Sequence, residues 1–416
     1  MITVVRGMRD IHGAEMALWH RVEDVMRRLA QAYGYEEFRT PIVEHTELFK
    51  RGVGEETDIV GKEMYTFEDR GGDSLTLRPE MTAPIVRAAI EHNLVRHQPT
   101  TRLWYMGPLF RYERPQKGRY RQFHQFGAEC LGSPHPEADV EIIMLAAETL
   151  RELGIPNVKL EINSLGTSES RAAYRQALVD YLTAHRESLS ADSQRRLETN
   201  PLRVLDSKDD ADKRIVANAP LLQDHLDEVS RTHFNTVQVL LQTAGIPFTV
   251  NPVLVRGLDY YCHTVFEFTS TDLGSQNTVC GGGRYDPLFT MIGGGDVPAV
   301  GFSIGMERLI ILLEQAGGPG TPTPPDIYLC AMGDEARIPA QLLALRLRRE
   351  GWSVVTDVLR RSGKAQLKDA NRFNVRYTLI LGDEELASGT IAVKNMADGQ
   401  QTSVAVTDVA SHLQRS

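Results

Sequence analysis

Apolar residues recur at helical spacing between Ala14 and Tyr33, where Trp19, Val22, Met26, Leu29 and Tyr33 share one stripe and Gly34 stands ready to stop a helix. A short extended segment, Arg39-Thr40-Pro41-Ile42-Val43, follows. Strand-like Leu75–Arg78 then leads through Pro79-Glu80-Met81-Thr82 into a helix over Ala83–Glu91. Two stretches rich in aromatic and apolar residues, Arg102–Tyr112 and Arg121–Leu131, flank the turn-forming run Pro115-Gln116-Lys117-Gly118 and predict a hairpin. A helix over Pro136–Leu153 and a strand over Val158–Asn163 come next.

From Thr167 to about Asn235 the pattern is helical, without strand-like alternation, and reads as an inserted helical module. Strand-like sequence resumes over Phe248–Val255 and Asp259–Thr269. A glycine cluster, Gly281-Gly282-Gly283-Arg284-Tyr285-Asp286, and a second, Gly293-Gly294-Gly295, precede Val300–Leu309, which reads as a strand passing through glycine into a helix. The run Gly317–Pro325 holds too many glycines and prolines for a regular element and marks a linker. Beyond it, strands over Asp326–Ala331, Ser353–Val358 and Tyr377–Gly382 alternate with helices over Ile338–Glu350 and Gly363–Phe373, which predicts a separate α/β domain. The expected organisation is a discontinuous core over 1–166 and 236–316, an insertion over 167–235, a linker over 317–325 and a C-terminal domain over 326–416.

Charge sharpens this picture at two places. Between Arg102 and Arg121 lie six basic residues and one acid, inside a chain of net charge −9. Cations gathered against the overall sign suit a polyphosphate held by the hairpin; a solvated basic hairpin is the alternative. Gln125 and Glu129, four apart on the second arm, share a sheet face about 13 Å apart, which leaves room for a smaller ligand beside the phosphates. Residues 326–416 carry twelve Lys/Arg against eleven Asp/Glu, a net +1 that leaves −10 for the rest. There Lys364, Lys368 and Arg372 fall at four-residue intervals on one helix face.

Other chemistry is excluded by what is missing. The sequence has no GxxxxGK[ST], no strand-linked GxGxxG opening a helix and no HExxH. Its cysteines, Cys130, Cys262, Cys280 and Cys330, are scattered without a CxxC pair, so buried thiols in a reducing cytoplasm are expected rather than disulfides or zinc. The start lacks the apolar core of a signal peptide, and no run approaches a membrane span.

Together these segments resemble a known family. Arg39–Val43 with its central Pro41 is similar to motif 1 of the class II aminoacyl-tRNA synthetases, Phe110-Arg111-Tyr112-Glu113 to motif 2, and Gly305-Met306-Glu307-Arg308-Leu309 to motif 3. Arg256-Gly257-Leu258-Asp259-Tyr260-Tyr261 and Gly281–Asp286 resemble two segments peculiar to the histidyl-tRNA synthetases, and the likeness extends over essentially the whole chain.

The resemblance implies an α+β catalytic domain on an antiparallel sheet, a helical insertion, and a C-terminal α/β domain that reads the anticodon. It implies ATP with Mg²⁺, L-histidine and tRNA(His) as ligands, no resident metal, and a homodimer formed through the motif 1 region. Arg111, Glu113 and Arg308 would hold ATP, with Arg111 and Arg256 acting on its α-phosphate. Glu80 and Thr82 would receive the α-amino group of histidine, Gln125 would help hold the amino acid, and Glu129 and Tyr261 would read the imidazole beside Tyr285. Lys364, Lys368 and Arg372 would contact tRNA, with Phe373 and Tyr377 nearby to stack on bases. Residue by residue, plainer readings remain: Glu80 as a helix cap, Tyr261 and Tyr285 as strand aromatics, Arg308 as an ion-paired helix residue. Two other functions fit parts of the pattern: a synthetase-like regulatory subunit of ATP phosphoribosyltransferase, and a class II synthetase for another amino acid.

Overall fold

The computed structural model describes every residue except Glu55, Glu56, His97, Asp206, Lys208, Ser275, Gln276, Pro319, Arg415 and Ser416. Asp206 and Lys208 of the expected insertion, Pro319 of the expected linker and the last two residues of the expected C-terminal domain thus lie outside the described residues. The chain divides into two compact units, Met1–Thr321 and Pro322–Ser416.

In the first unit the strands are β1 (Glu36–Glu37), β2 (Val43–His45), β3 (Tyr65–Glu68), β4 (Ser74–Leu77), β5 (Thr101–Phe110), β6 (Gln122–Leu131), β7 (Val158–Ser164), β8 (Phe248–Val250), β9 (Cys262–Ser270), β10 (Thr278–Arg284) and β11 (Ala299–Gly305). Eight of them form one sheet in the order β1-β5-β6-β11-β10-β9-β7-β8. It is antiparallel throughout its centre, with parallel pairs only at the edges, β1 with β5 and β7 with β8. A small antiparallel sheet, β2-β4-β3, stands beside it.

The period of two along β6 sorts its side chains. Phe126, Ala128 and Cys130 face a core packed by the helices Glu15–Ala32, Pro136–Leu153, Glu228–Thr243 and Met306–Gly317. Gln125, Gly127 and Glu129 face the other way. The stripe read from the sequence is buried in that core: Trp19, Val22, Met26 and Leu29 all belong to it. On the opposite side, Leu103, Tyr105 and Val265 from the sheet join Tyr174, Leu178, Leu182 and Leu197 from the helices Ser168–Ala184 and Ala191–Thr199 in one apolar layer.

Two expected strands are shorter than their sequences suggest. Only Phe248–Val250 and Cys262–Ser270 are extended, and residues 251–261 form a loop. Asn251 turns the chain there, its side chain accepting from the Val253 N–H at 3.2 Å, and Pro252 has no N–H to give to a ladder. The helix Glu228–Thr243 runs through residue 235, and its Phe234, Val237 and Leu241 lie in the core of the main sheet.

The second unit contains β12 (Ile327–Ala331), β13 (Val354–Thr356), β14 (Tyr377–Leu381), β15 (Thr390–Asn395) and β16 (Gln401–Ala405), ordered β13-β12-β14-β15-β16. The first three are parallel, linked by the helices Arg337–Arg349 and Gly363–Arg372; the last two close the sheet as an antiparallel hairpin. β13 stops before the expected Val358 because the Asp357 carboxylate accepts from the N–H groups of Leu359 and Arg361 and turns the chain. Among the described residues no helix is long and apolar enough to cross a membrane.

Candidate active site

The site is built on the β6 face that carries Gln125 and Glu129. Register places Tyr105 opposite Gly127 and Glu129 opposite Gly301. A Cβ at Gly127 would overlap the Tyr105 phenol, and one at Gly301 would overlap the Glu129 carboxylate. The missing side chains are therefore what lets the larger ones lie flat across the sheet. In that space Glu129 Oε1 accepts from the hydroxyls of Tyr105 and Thr82, both at 3.0 Å, and Oε2 accepts from Tyr285 at 2.6 Å. The carboxylate is 1 % exposed. Burial pushes its pKa up to about 8, even though the three hydroxyls favour the ionised form.

A cavity of about 250 Å³ opens beside this cage. Glu80, Thr82, Arg111, Glu113, Gln125, Arg256, Tyr261, Tyr285 and Arg308 all line it, so the structure gathers nine of the ten catalytic-unit candidates around one space. The tenth, Glu129, sits immediately behind the wall, held by three residues that line it, Thr82, Tyr105 and Tyr285. Glu80 also does what its plainer reading supposed. Its carboxylate accepts from the backbone N–H of Thr82 (2.7 Å) and of Ala83 (2.9 Å), capping the helix Thr82–Glu91 from within the cavity wall. Burial raises its pKa against those two bonds.

One end of the cavity is strongly cationic. Arg111 donates from Nε to the Pro79 carbonyl (2.8 Å) and stands over the Phe123 ring at 5.3 Å. Arg308 donates to the carbonyl oxygens of Gly118 and Thr278. Arg119 lies against the Glu113 carboxylate, with Arg111 4.0 Å from it. Burial holds the Arg308 pKa below its ordinary value, and repulsion from Arg119 and Arg111 works the same way. Three guanidinium groups gather here around Glu113, with Glu63 nearby, its pKa raised by burial, and Glu307 bound to the His124 N–H, so the arginines are the groups placed to meet an anion.

Arg256 lies between the two ends. It pairs with Glu267, which also accepts from Thr278 at 3.0 Å, and it stands 5.7 Å from the Tyr261 ring centroid. Burial works against its charge, but Glu267 together with the Tyr261 and Tyr260 phenols outweighs it and the pKa is raised. The glycine that makes room for Arg256 is Gly281, where a Cβ would overlap the guanidinium. At Gly257, the next residue in sequence after Arg256, a Cβ would instead come within 3.2 Å of Arg203.

Sequence reasoning missed Tyr105, Phe123 and Glu267. Tyr105 and Phe123 are aromatic residues on strands, indistinguishable from core until the register of β5, β6 and β11 is known. Arg119 is one of the six basic residues of the hairpin, and nothing in the sequence sets it apart from the others.

In the second unit Lys364, Lys368 and Arg372 are exposed on one face of the helix Gly363–Arg372. Arg372 pairs with Asp369 at 3.0 Å and stands over Phe373 at 5.1 Å. Phe373 is exposed, so it can stack on a base. Tyr377 cannot do so where it stands: it is a buried residue of the domain core, its hydroxyl accepting from the Gln414 N–H at 3.4 Å.

An antiparallel sheet with an arginine-bearing hairpin, crossed by a strand that passes through Gly305 into a helix bearing Arg308, defines the catalytic unit of a class II aminoacyl-tRNA synthetase. The sequence model of the histidyl-tRNA synthetases matches residues 7–309, and that of an anticodon-binding domain matches residues 326–416. A crystal structure of apo histidyl-tRNA synthetase from S. aureus is 36% identical to the chain, covers 99% of both chains and superposes with a TM-score of 0.83. The chain belongs to the histidyl-tRNA synthetase family. The same fold occurs in a histidyl-tRNA synthetase from Nostoc sp. (23% identity, TM-score 0.69, 99% of both chains). It occurs also in a Bacillus halodurans protein described as an ATP phosphoribosyltransferase regulatory subunit/histidyl-tRNA synthetase (24% identity, TM-score 0.66, 92% of this chain and 98% of that one).

Proposed function

We propose that one cavity holds both small substrates of this histidine–tRNA ligase, L-histidine beside the Glu129 cage and ATP across Arg111, Arg119 and Arg308. The observation that carries this reading is the buried carboxylate with its three hydroxyl donors, lying next to a cationic end within the same 250 Å³ space. An imidazole has two ring nitrogens, and a carboxylate that fixes one as donor leaves the other for the Tyr261 phenol. Glu80 and Thr82 would receive the α-amino group while Glu80 keeps its capping bonds, and Gln125 would complete the amino-acid site. An amino acid without those nitrogens would give up both the added bond to Glu129 and the one to Tyr261, which rejects better than shape does.

In the first step a histidine carboxylate oxygen attacks the α-phosphorus of ATP; the new O–P bond forms as the bond to pyrophosphate breaks. The nucleophile is already ionised, so the chain needs no general base, and its work is positioning and charge neutralisation. Arg111 and Arg256 would flank the α-phosphate, and Arg308 would hold the far phosphates. Mg²⁺ would arrive with ATP and neutralise the outer phosphates. Glu113 is the carboxylate that suits it: Oε2 is buried and takes no hydrogen bond of good geometry, despite the nearby Arg119. Among the described residues no group of three or more His, Cys, Asp or Glu side chains could hold an ion on its own. In the second step a hydroxyl of the 3′-terminal ribose of tRNA attacks the acyl carbon and AMP leaves. A cytoplasmic setting accords with four cysteines that are all free and buried.

The direct test is pyrophosphate exchange into ATP with each standard amino acid supplied singly. Exchange should depend on histidine alone; equal exchange with threonine or proline would remove the imidazole reading.

Glu129 gives this reading a pH signature. Buried among its three hydroxyl partners it has a pKa of about 8, so at neutral pH it is mostly protonated. A neutral imidazole that donates to it requires the ionised form, so binding expels a proton below that pKa. Histidine affinity should therefore rise as pH increases toward about 8 and level off above it, by up to about tenfold per pH unit. Glu129→Gln should flatten the profile. Calorimetry in buffers of different ionisation enthalpy counts the proton directly, and zero release at neutral pH would mean the proton stays within the pair.

The division between the two units and the dimer are proposals of the same standing. β2 is an edge strand whose first residue, Val43, is 37% exposed and whose preceding residue, Ile42, is 42% exposed, so this edge can pair with a second copy. A chain ending near Gly317 should stay dimeric in light scattering and keep histidine-dependent exchange, yet lose most tRNA charging because the basic face of the second unit is gone. A folded truncation that charges tRNA as well as the intact chain would reassign tRNA reading, and a monomer of full exchange activity would remove the dimer.

A further inference from the structure

The loop between β5 and β6 carries Arg111, Glu113 and Arg119 into the cavity, and it is anchored on both arms by other parts of the chain. The outgoing arm is tied by the Tyr112 N–H, which donates to the Glu63 carbonyl at 2.6 Å, and by an edge contact between the Tyr112 and Tyr65 rings. The returning arm is held by residues 6–9, a segment to which neither the sequence nor the site assigned a task. The Arg121 N–H donates to the Gly7 carbonyl at 2.7 Å, and Arg121 Nη1 reaches the Arg6 carbonyl at 3.4 Å. Arg9 stands over the Tyr120 ring at 5.1 Å, and Tyr120 lines the cavity next to Arg119. Arg9 is itself fixed by a two-pronged pairing with Glu15 at the start of the helix Glu15–Ala32, and Glu15 also accepts from Trp19 Nε1 at 3.0 Å. Gly7 has φ +86°, and a Cβ there would stand 2.9 Å from both Arg121 and Pro115. The segment is thus shaped to lie against the loop with no side chain intervening.

We propose that residues 6–9 are a clasp for the phosphate-binding loop and that Arg9 is a positioning residue, acting through Tyr120 on Arg119 rather than on substrate. This rests on the reading of the cavity as an ATP site. The contacts run from the first turn of a core helix through Glu15 and Arg9 to Tyr120, the chain neighbour of Arg119, so the cationic end is referenced to the rigid core and not to its own hairpin alone. A loop held on one arm only would sample orientations in which Arg119 no longer faces the phosphates, and ATP would bind the competent fraction alone.

The test is pyrophosphate exchange by the full-length chain, with KM for ATP and for histidine measured separately. Arg9→Ala, which removes the guanidinium from both Tyr120 and Glu15, should raise KM for ATP about tenfold and leave KM for histidine within about twofold. Arg9→Lys keeps the charge over Tyr120 but not the two-pronged pairing and should fall between. Gly7→Ala, which pushes the segment off Arg121 by a different route, should reproduce the ATP-selective effect. Equal rises in both KM values would make Arg9 a general structural residue, and no change in either would remove the clasp. Failure of the wild-type chain to show any histidine-dependent exchange would instead overturn the ATP reading beneath it.

Discussion

Arg256→Ala should slow single-turnover formation of histidyl-adenylate by about 10²–10³ while changing histidine affinity only a few-fold. The α-phosphate gains negative charge on its non-bridging oxygens as the carboxylate attacks, so a cation fixed beside it acts mainly on the transition state. Arg256 is fixed in that sense. Glu267 and the overlying Tyr261 ring hold it, and Gly281 leaves the space it occupies. Truncation has a second effect, since Glu267 is left partly buried without its cation. Glu267→Gln separates the two: it keeps the side-chain volume, loosens Arg256 and should cost far less than removing the guanidinium. Adenylation by Arg256→Ala at wild-type speed would take Arg256 out of the chemistry.

Gly301→Ala should be nearly as damaging as removing Glu129 itself, with kcat/KM for histidine falling by about 10⁴. The added methyl would stand where the Glu129 carboxylate lies and also crowd the Ala128 carbonyl, which belongs to the paired strand and cannot withdraw. The carboxylate would then leave the hydroxyls of Tyr105, Thr82 and Tyr285, and three donors would lose their acceptor together. Gly295→Ala is the comparison, because Gly295 is exposed and a Cβ there meets nothing within 4 Å. Thermal melts separate loss of the pocket from loss of the fold. A Gly301→Ala protein that activates histidine normally would mean Glu129 does not read the substrate from this position.

Much of this was legible in the sequence because the relevant signals are local. The helix Glu15–Ala32 followed from apolar spacing, the hairpin from its turn residues, and the α/β alternation of the second unit from the order of its elements. Arg111, Glu113, Arg256, Tyr261, Tyr285 and Arg308 were reached through short segments resembling family motifs, and the structure brings these residues to one cavity. What escaped was whatever depends on pairing between distant strands. No sequence pattern says that Gly127 faces Tyr105 or that Gly301 faces Glu129, so Tyr105 was one aromatic among several on its strand and neither glycine stood out. Residues 251–255 of the loop were read as strand because the apolar Val253, Leu254 and Val255 resemble one; Asn251 and Pro252 end the ladder before them. Tyr377 was placed near the bases on proximity in sequence, although its strand turns it into the core.

The alternation along β6 also limits how this enzyme can change in length. Adding or deleting one residue between Gln122 and Leu131 would shift every later side chain to the other face of the sheet. Glu129 would point into the helix-packed layer, and Ala128 or Cys130 would take its place in the cage. The same change at the tip, around Gln116–Gly118, leaves both ladders in phase and alters only the reach of the loop. Indels should therefore be tolerated at the hairpin tip and lethal along its second arm, so a library of single-residue insertions across 100–131 would trace the sheet's register by survival alone.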